Sequence, residues 1–233
     1  MADTNYDTRR GELKTYFDRT AADKWVALTS NTPVSRIRET VRAGREATRS
    51  TFLEWLPHDL TGMRILDAGC GTGMLAAEIS ARGAHVVAID ISPALIEEAK
   101  RRLPTDLRAH IDFRAGDMSD SDLGTFDYIV AMDSFIHYPL SAIIELLEGY
   151  APRVKRGLIF TFAPRTPALA AMKTIGKLFP KNDRSPAIEP VAEDRLAAAI
   201  EASHVKNYGL RAARTRRIST AFYKTQLMEL VNA

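Results

Sequence analysis

Between residues 63 and 162 the sequence does little except alternate short apolar runs with amphipathic segments of helical period. Residues 63–66, 86–89, 111–113, 128–132 and 158–162 have the length and composition of buried strands, and 74–82, 93–103 and 140–150 lie between them as helices. Parallel neighbours need a long crossover, so strands that alternate with helices imply a parallel sheet, and strand twist makes each crossover right-handed. The expected fold is α/β, a doubly wound and mostly parallel sheet.

The flanks differ. Residues 9–60 read as helix, with Tyr16, Phe17, Trp25, Val26 and Leu28 at helical spacing and a break at Ser30-Asn31-Thr32-Pro33. The second helix sets Ile37, Val41, Gly44, Thr48, Phe52 and Trp55 on one side and ends near Pro57. Arg38, Arg42, Arg45 and Arg49 follow the same rhythm one residue along, which suits either a solvated flank or an anion clamp. Residues 163–190 hold Pro164, Pro167, Pro180, Pro186 and Pro190 around an amphipathic stretch, 169–179, with Lys173, Lys177 and Lys181. Such an insertion serves as a lid, a partner surface or a membrane-contacting helix. A helix (191–203), an arginine-rich segment (206–219) and a strand-like segment (222–230) close the chain. The expected organisation is a helical arm, 1–60, and a ligand-binding domain, 61–233, carrying a lid-like insertion at 164–190.

Composition narrows the partners. A net charge of +3 is too small to name nucleic acid, and the single cysteine, Cys70, supplies neither an internal disulfide nor a cysteine-based zinc site. No metal site is expected. No run approaches the ~18 uncharged apolar residues of a spanning helix, and MADTNYDTRR lacks a signal-peptide core, so the expected location is the cytoplasm.

Ile65-Leu66-Asp67-Ala68-Gly69-Cys70-Gly71-Thr72-Gly73 follows a strand and opens a helix, where a glycine turn lets a ligand approach the backbone. The glycines match only the start of a dinucleotide fingerprint. Asp67 decides between ligands, because a carboxylate there repels a pyrophosphate but suits an amino-acid ammonium beside a sulfonium. Asp90 ends the second strand 19 residues past Gly71, where an acidic side chain accepts from both ribose hydroxyls of an adenosine. In Gly116-Asp117-Met118, after the third strand, Asp117 can take an adenine amino group while Met118 packs on the ring. Ile91 and Met132 complete the expected cofactor contacts. The bland alternative makes the three acids helix caps or turn formers. Cys70 reads as a small residue in a tight turn rather than as a nucleophile.

ILDAGCGTG, the acidic end of VVAID and the GDM turn resemble the motifs of class I S-adenosylmethionine-dependent methyltransferases over residues 60–163. The resemblance implies a Rossmann-like sheet of seven strands, the last antiparallel, with 206–219 and 222–230 as strands six and seven. It also implies S-adenosylmethionine as co-substrate. Members that methylate base or glutamine nitrogen carry Asn/Asp-Pro-Pro-aromatic after the fourth strand, whereas this chain has Asp133-Ser134-Phe135-Ile136-His137-Tyr138-Pro139. Oxygen therefore becomes the expected acceptor. A phenol needs a base or a metal, while a carboxylate is already ionised at neutral pH and needs alignment and exclusion of water.

YFDRTAADKW (16–25), VRAGREAT (41–48), the DAGCGTG loop and IHYP (136–139) are together similar to the magnesium-protoporphyrin IX O-methyltransferase family of bacteriochlorophyll and chlorophyll biosynthesis, over most of residues 12–150. The resemblance implies methyl transfer to a propionate carboxylate of magnesium-protoporphyrin IX. Delivery by the porphyrin-binding subunit of magnesium chelatase and peripheral contact with the inner photosynthetic membrane are implied with it. It makes His137 the catalytic residue, orienting the propionate or, as a lesser option, removing a proton; the alternative is a histidine capping the next helix. Tyr16 and Trp25 become a movable arm over the cofactor, with core packing as the alternative. Arg42 is the preferred clamp, equally suited to the cofactor's methionine carboxylate. Thr29 stands where chlorophyll-type members place a functional tyrosine, which puts that role in question here. The competing readings are an O-methyltransferase of another small acceptor such as a quinone-precursor phenol, a non-catalytic porphyrin carrier, and a nicotinamide dehydrogenase.

Overall fold

A computed structural model describes residues 6–16, 36–166 and 188–232. Its strands are β1 (Arg64–Ala68), β2 (His85–Asp90), β3 (Ile111–Ala115), β4 (Phe126–Ala131), β5 (Val154–Phe162), β6 (Leu210–Ser219) and β7 (Lys224–Asn232). Its α-helices are α1 (Tyr6–Tyr16), α2 (Arg36–Trp55), α3 (Met74–Ser80), α4 (Pro93–Arg102), α5 (Thr105–Arg108), α6 (Leu140–Tyr150) and α7 (Glu193–Ala202). The sheet runs β3-β2-β1-β4-β5-β7-β6, with β1 to β5 parallel and β7 antiparallel to both its neighbours. The chain starts in mid-sheet, winds outward to β3, then crosses back to β4. That reversal opens a crevice at the carboxyl ends of β1 and β4.

Both faces of the sheet's centre are covered, which is why β1, β2, β4 and β5 read as apolar runs, whereas the edge strand β6 is largely exposed. Ile65, Val86, Ala88 and Ile159 pack with Phe52 and Trp55 of α2, while Leu66, Val87, Ile89 and Phe160 pack with Ile143, Leu146 and Leu147 of α6. A fully buried phenylalanine such as Phe52 contributes roughly 1.5–3 kcal/mol. The far end of α2 is fastened to β6 and β7. Arg214 donates through Nε to buried Glu229 at 2.5 Å and lies 4.7 Å over the Trp55 ring, and Arg216 pairs with Glu54 at 2.5 Å. Three of the arginines in the basic 206–219 segment thus act within the fold, Arg217 bonding Gln226 on the neighbouring strand.

Four sequence expectations need correction. Ile37 is 52% exposed, because burial along α2 begins only near Gly44, where the helix meets the sheet. Residues 204–208 form a 3-10 helix capped by Ser203, so β6 starts at Leu210, after Gly209 turns the chain. Phe222 is 60% exposed in the turn before β7. The short helix α5 carries too little apolar periodicity to be read in advance. Both stems of the proline-rich insertion are pinned beside β5: Val191 donates to the Ala163 carbonyl at 2.9 Å, and Glu189 to the Ile136 carbonyl at 2.9 Å. Trp25, Thr29 and the 169–179 stretch lie outside the described residues.

Candidate active site

The glycine turn is tied to the end of β2 from two sides. Gly69 and Cys70 donate to the Ile89 carbonyl at 2.8 and 3.0 Å, and Gly71 donates to Asp90 Oδ2 at 2.9 Å. Asp90 Oδ1 accepts from the Ser92 amide at 2.9 Å, so this carboxylate sets both the glycine turn and the start of α4. Gly69 has φ 81°, and a Cβ there would lie 2.5 Å from Cβ of Ser134, whose Oγ donates to the Ala68 carbonyl at 2.9 Å. The β1 and β4 ends therefore meet at a point where only a glycine fits.

Asp67 is 1% exposed, and its Oδ2 has no hydrogen-bond partner. Burial, reinforced by the nearby charge of Asp90, pushes its pKa up to about 7 against the pull of the Ala76 amide. A buried carboxylate oxygen without a partner is costly unless a cation arrives to meet it. Cys70 lines the same space, and burial drives its thiol pKa upward, as expected of a packing residue rather than a nucleophile.

One cavity gathers most of the residues singled out in the sequence: Asp67, Gly69, Cys70 and Gly71 from the first turn, Asp90 and Ile91 from the second, Gly116 and Met118 from the third, then Met132, His137 and Arg42. His137 ends a one-turn 3-10 helix, Phe135–His137, and α6 begins beyond it with Pro139 at the cap position and no side-chain cap, so His137 does not cap α6. Its carbonyl accepts from Arg9 Nε at 2.7 Å.

Two residues fall elsewhere. Asp117 is not in the cavity wall; its Oδ1 accepts from Tyr6 Oη at 2.5 Å and from Ser119, and its Oδ2 pairs with Arg10. Burial opposes ionisation there, but Tyr6, Ser119 and Arg10 together hold the carboxyl below its usual range. In this structure Asp117 anchors α1. Tyr16, at the far end of α1, is half-buried outside the cavity wall, and the α1 residues that line the cavity are Tyr6 and Leu13. Tyr6 stacks on Tyr138 with centroids 5.2 Å apart, and Arg9 pairs with Glu189 at 3.3 Å, so α1 closes one side of the cavity.

Sequence reading missed Asp133. It lies two residues beyond β4 with φ 57°, a backbone that costs an L-residue roughly 1–2 kcal/mol, and its side chain is nearly fully buried. Its amide donates to Thr161 Oγ1 at 2.7 Å, its Oδ1 accepts from Tyr223 Oη at 2.8 Å, and its Oδ2 pairs with Arg45. The one advance signal was its place in DSFIHYP, where other branches of the fold carry Asn/Asp-Pro-Pro-aromatic.

Sheet order, glycine turn and paired acids at the ends of β1 and β2 define a class I S-adenosylmethionine-dependent methyltransferase. Two family models match: one described as magnesium-protoporphyrin IX methyltransferase C-terminus over residues 131–232, and one as methyltransferase domain over 65–157. Magnesium-protoporphyrin O-methyltransferase of Rhodobacter capsulatus is 44% identical over 97% of this chain and 98% of its own. The protein of the same name from Synechocystis sp. is 31% identical over 95% of each. A crystal structure of magnesium protoporphyrin IX methyltransferase from Synechocystis PCC 6803 with bound SAH superposes with a TM-score of 0.83 at 28% identity, covering 97% of this chain and all of that one. The chain belongs to the magnesium-protoporphyrin IX methyltransferase family.

Proposed function

We infer that this enzyme transfers a methyl group from S-adenosylmethionine to a propionate carboxylate of magnesium-protoporphyrin IX, giving the monomethyl ester and S-adenosylhomocysteine. The end-to-end relationship to the Rhodobacter capsulatus enzyme carries the acceptor, and the partnerless buried oxygen of Asp67 carries the cofactor.

When bound, S-adenosylmethionine supplies an electrophilic methyl on a sulfonium. Asp67 would hold its ammonium, Asp90 its ribose hydroxyls, and Ile91 and Met118 the faces of its adenine, while Gly69, Cys70, Gly71 and Gly116 let the ligand lie against the backbone. Met132 would pack against the methionine portion and Arg42 would face its carboxylate. The acceptor carboxylate is ionised at neutral pH, so the protein needs to align it and keep water out, with no proton to remove. His137, in the cavity wall after β4, would orient the propionate by a hydrogen bond. The fastening of α1 and of the insertion stems around His137 supports an arm within 1–60 and a lid at 164–190 on the 61–233 domain, with α2, whose Phe52 and Trp55 lie in the core, joined to that domain. No helix among the described residues is long and apolar enough to cross a membrane, and no described cluster of His, Cys, Asp and Glu has the makings of a metal site. Hand-over of the porphyrin from the chelatase subunit, and a peripheral seat at the photosynthetic membrane, complete this reading.

The test is methyl transfer from labelled S-adenosylmethionine with magnesium-protoporphyrin IX and a catechol offered in parallel. Labelled monomethyl ester supports the reading. Label in the catechol with none in the porphyrin would replace it with the phenol alternative, and no transfer with retained porphyrin binding would leave a carrier.

A further inference from the structure

We propose that Arg9 is a positioning residue for methyl transfer: together with Glu189 it holds, from behind the cavity wall, the single turn of helix that carries His137. The proposal rests on the reading above, in which His137 aligns the propionate, and deepens it by naming what fixes His137.

His137 ends a 3-10 helix of one turn, Phe135–His137, and a turn so short has too few internal bonds to fix its own shape. The Phe135 carbonyl accepts from the Tyr138 amide at 3.0 Å. The next two carbonyls are taken by partners from outside the turn. That of Ile136 accepts from the Glu189 amide at 2.9 Å, and that of His137 from Arg9 Nε at 2.7 Å. Arg9 Nη2 then reaches a Glu189 carboxylate oxygen at 3.3 Å, so the two outside partners are also bound to each other. The turn is held jointly by α1 and the insertion stem.

Arg9 is itself held. Its side chain is 12% exposed, and Glu12, one turn along α1, accepts from its Nη1 at 2.7 Å. Tyr6, one turn before Arg9 on the same face, stacks on Tyr138 with centroids 5.2 Å apart, so α1 braces the chain at two consecutive residues, 137 and 138. Neither Arg9 nor Glu189 lines the cavity, although His137 and Tyr138 do. Their effect on the reaction therefore passes through the backbone they hold rather than through contact with a ligand. A lysine cannot repeat the arrangement, because a point ammonium lacks the planar fork that reaches a carbonyl and two carboxylates at once. Alignment makes large demands on such a support, since a misplacement of about 1 Å can cost about a hundredfold in rate.

The experiment measures ester formation from magnesium-protoporphyrin IX and S-adenosylmethionine, and S-adenosylhomocysteine affinity by calorimetry, for R9M, R9K, E189Q, H137Q and the double variant R9M/H137Q. Tyr6 and Arg10 still fasten α1 to Asp117 when Arg9 is changed, so R9M should bind S-adenosylhomocysteine within about threefold of wild type while kcat falls about tenfold. R9K should recover about a third of wild-type kcat, and E189Q should lose about two- to threefold. Adding R9M to H137Q should lower kcat less than about twofold further, because a residue that acts through His137 then has nothing left to position. A merely structural role would instead multiply the two losses. Multiplied losses, an affinity for S-adenosylhomocysteine that falls as far as kcat, or wild-type kcat in R9M would overturn the proposal. Should R9M fail to fold, R9K and E189Q decide it by the same readings, each alone and combined with H137Q. Any of these contrary results beside a wild type that forms the ester sinks only this inference, whereas a wild type that makes no ester, or an H137Q with full kcat, sinks the reading of the site as well.

Discussion

Asp67 ties cofactor affinity to pH in a way that can be worked from its surroundings. In the unliganded protein its pKa is pushed up to about 7, chiefly by burial and then by Asp90, so near neutrality the carboxyl is half protonated. A ligand ammonium pairs with the ionised form only. Affinity for S-adenosylhomocysteine should therefore be full above pH 7 and fall as pH drops, by about tenfold per unit once well below the pKa, with about one proton released per ligand at pH 6. Calorimetry between pH 5.5 and 7.5, in two buffers of different ionisation heat, reads both quantities. Asp67→Asn should flatten the slope and cost about 1.5–3 kcal/mol of binding at pH 7.5. The same shift acts on folding with a definite sign. An acid whose folded pKa lies above its unfolded value destabilises the folded state increasingly as pH rises from about 4 to 7, so unliganded Asp67→Asn should melt higher than wild type at pH 8, by up to about 4 kcal/mol. A wild-type Kd that is constant across the range, or a variant that keeps the slope, would refute the reasoning.

Gly69→Ala should lose S-adenosylhomocysteine binding by more than about tenfold, because the new Cβ meets Ser134 and the residue must hold a positive φ; retained calorimetric affinity would contradict it. His137→Gln should bind S-adenosylhomocysteine within twofold of wild type yet lower kcat by roughly ten- to a hundredfold in the ester assay, as expected of a misaligned acceptor. Tyr6→Phe should lower stability by about 1–1.5 kcal/mol in urea melts, through loss of the bond that fastens α1 to Asp117; an unchanged midpoint would mean that stacking on Tyr138 alone holds the helix.

The parallel sheet was legible because its signal is local: five apolar runs separated by helices leave few topologies. Asp67, Gly69, Gly71 and Asp90 were legible for the same reason, since a strand, a turn and the next strand's end form one unit whose spacing is fixed by geometry. What escaped was built across long separations. Tyr6 meets Asp117, 111 residues away, and Asp133 draws on Arg45 and Tyr223 at separations of 88 and 90, pairings that no window of sequence contains. Asp117 illustrates what such pairings add. Its position on the ligand rim suggested a contact with adenine, but the charged and hydroxyl groups of α1 reach it and claim its oxygens. The arginine stripe is a further case: Arg42, Arg45 and Arg49 line the cavity and Arg38 does not, a division that helical period alone could not give.

The central claim is that the acids ending β1 and β2 hold an adenosine joined to an amino acid. A crystal structure with S-adenosylhomocysteine tests it most directly: the account places the ligand's ammonium on Asp67 Oδ2 and its ribose hydroxyls on Asp90. A ribose bound away from Asp90, with Asp67 Oδ2 still lacking a partner, would contradict it.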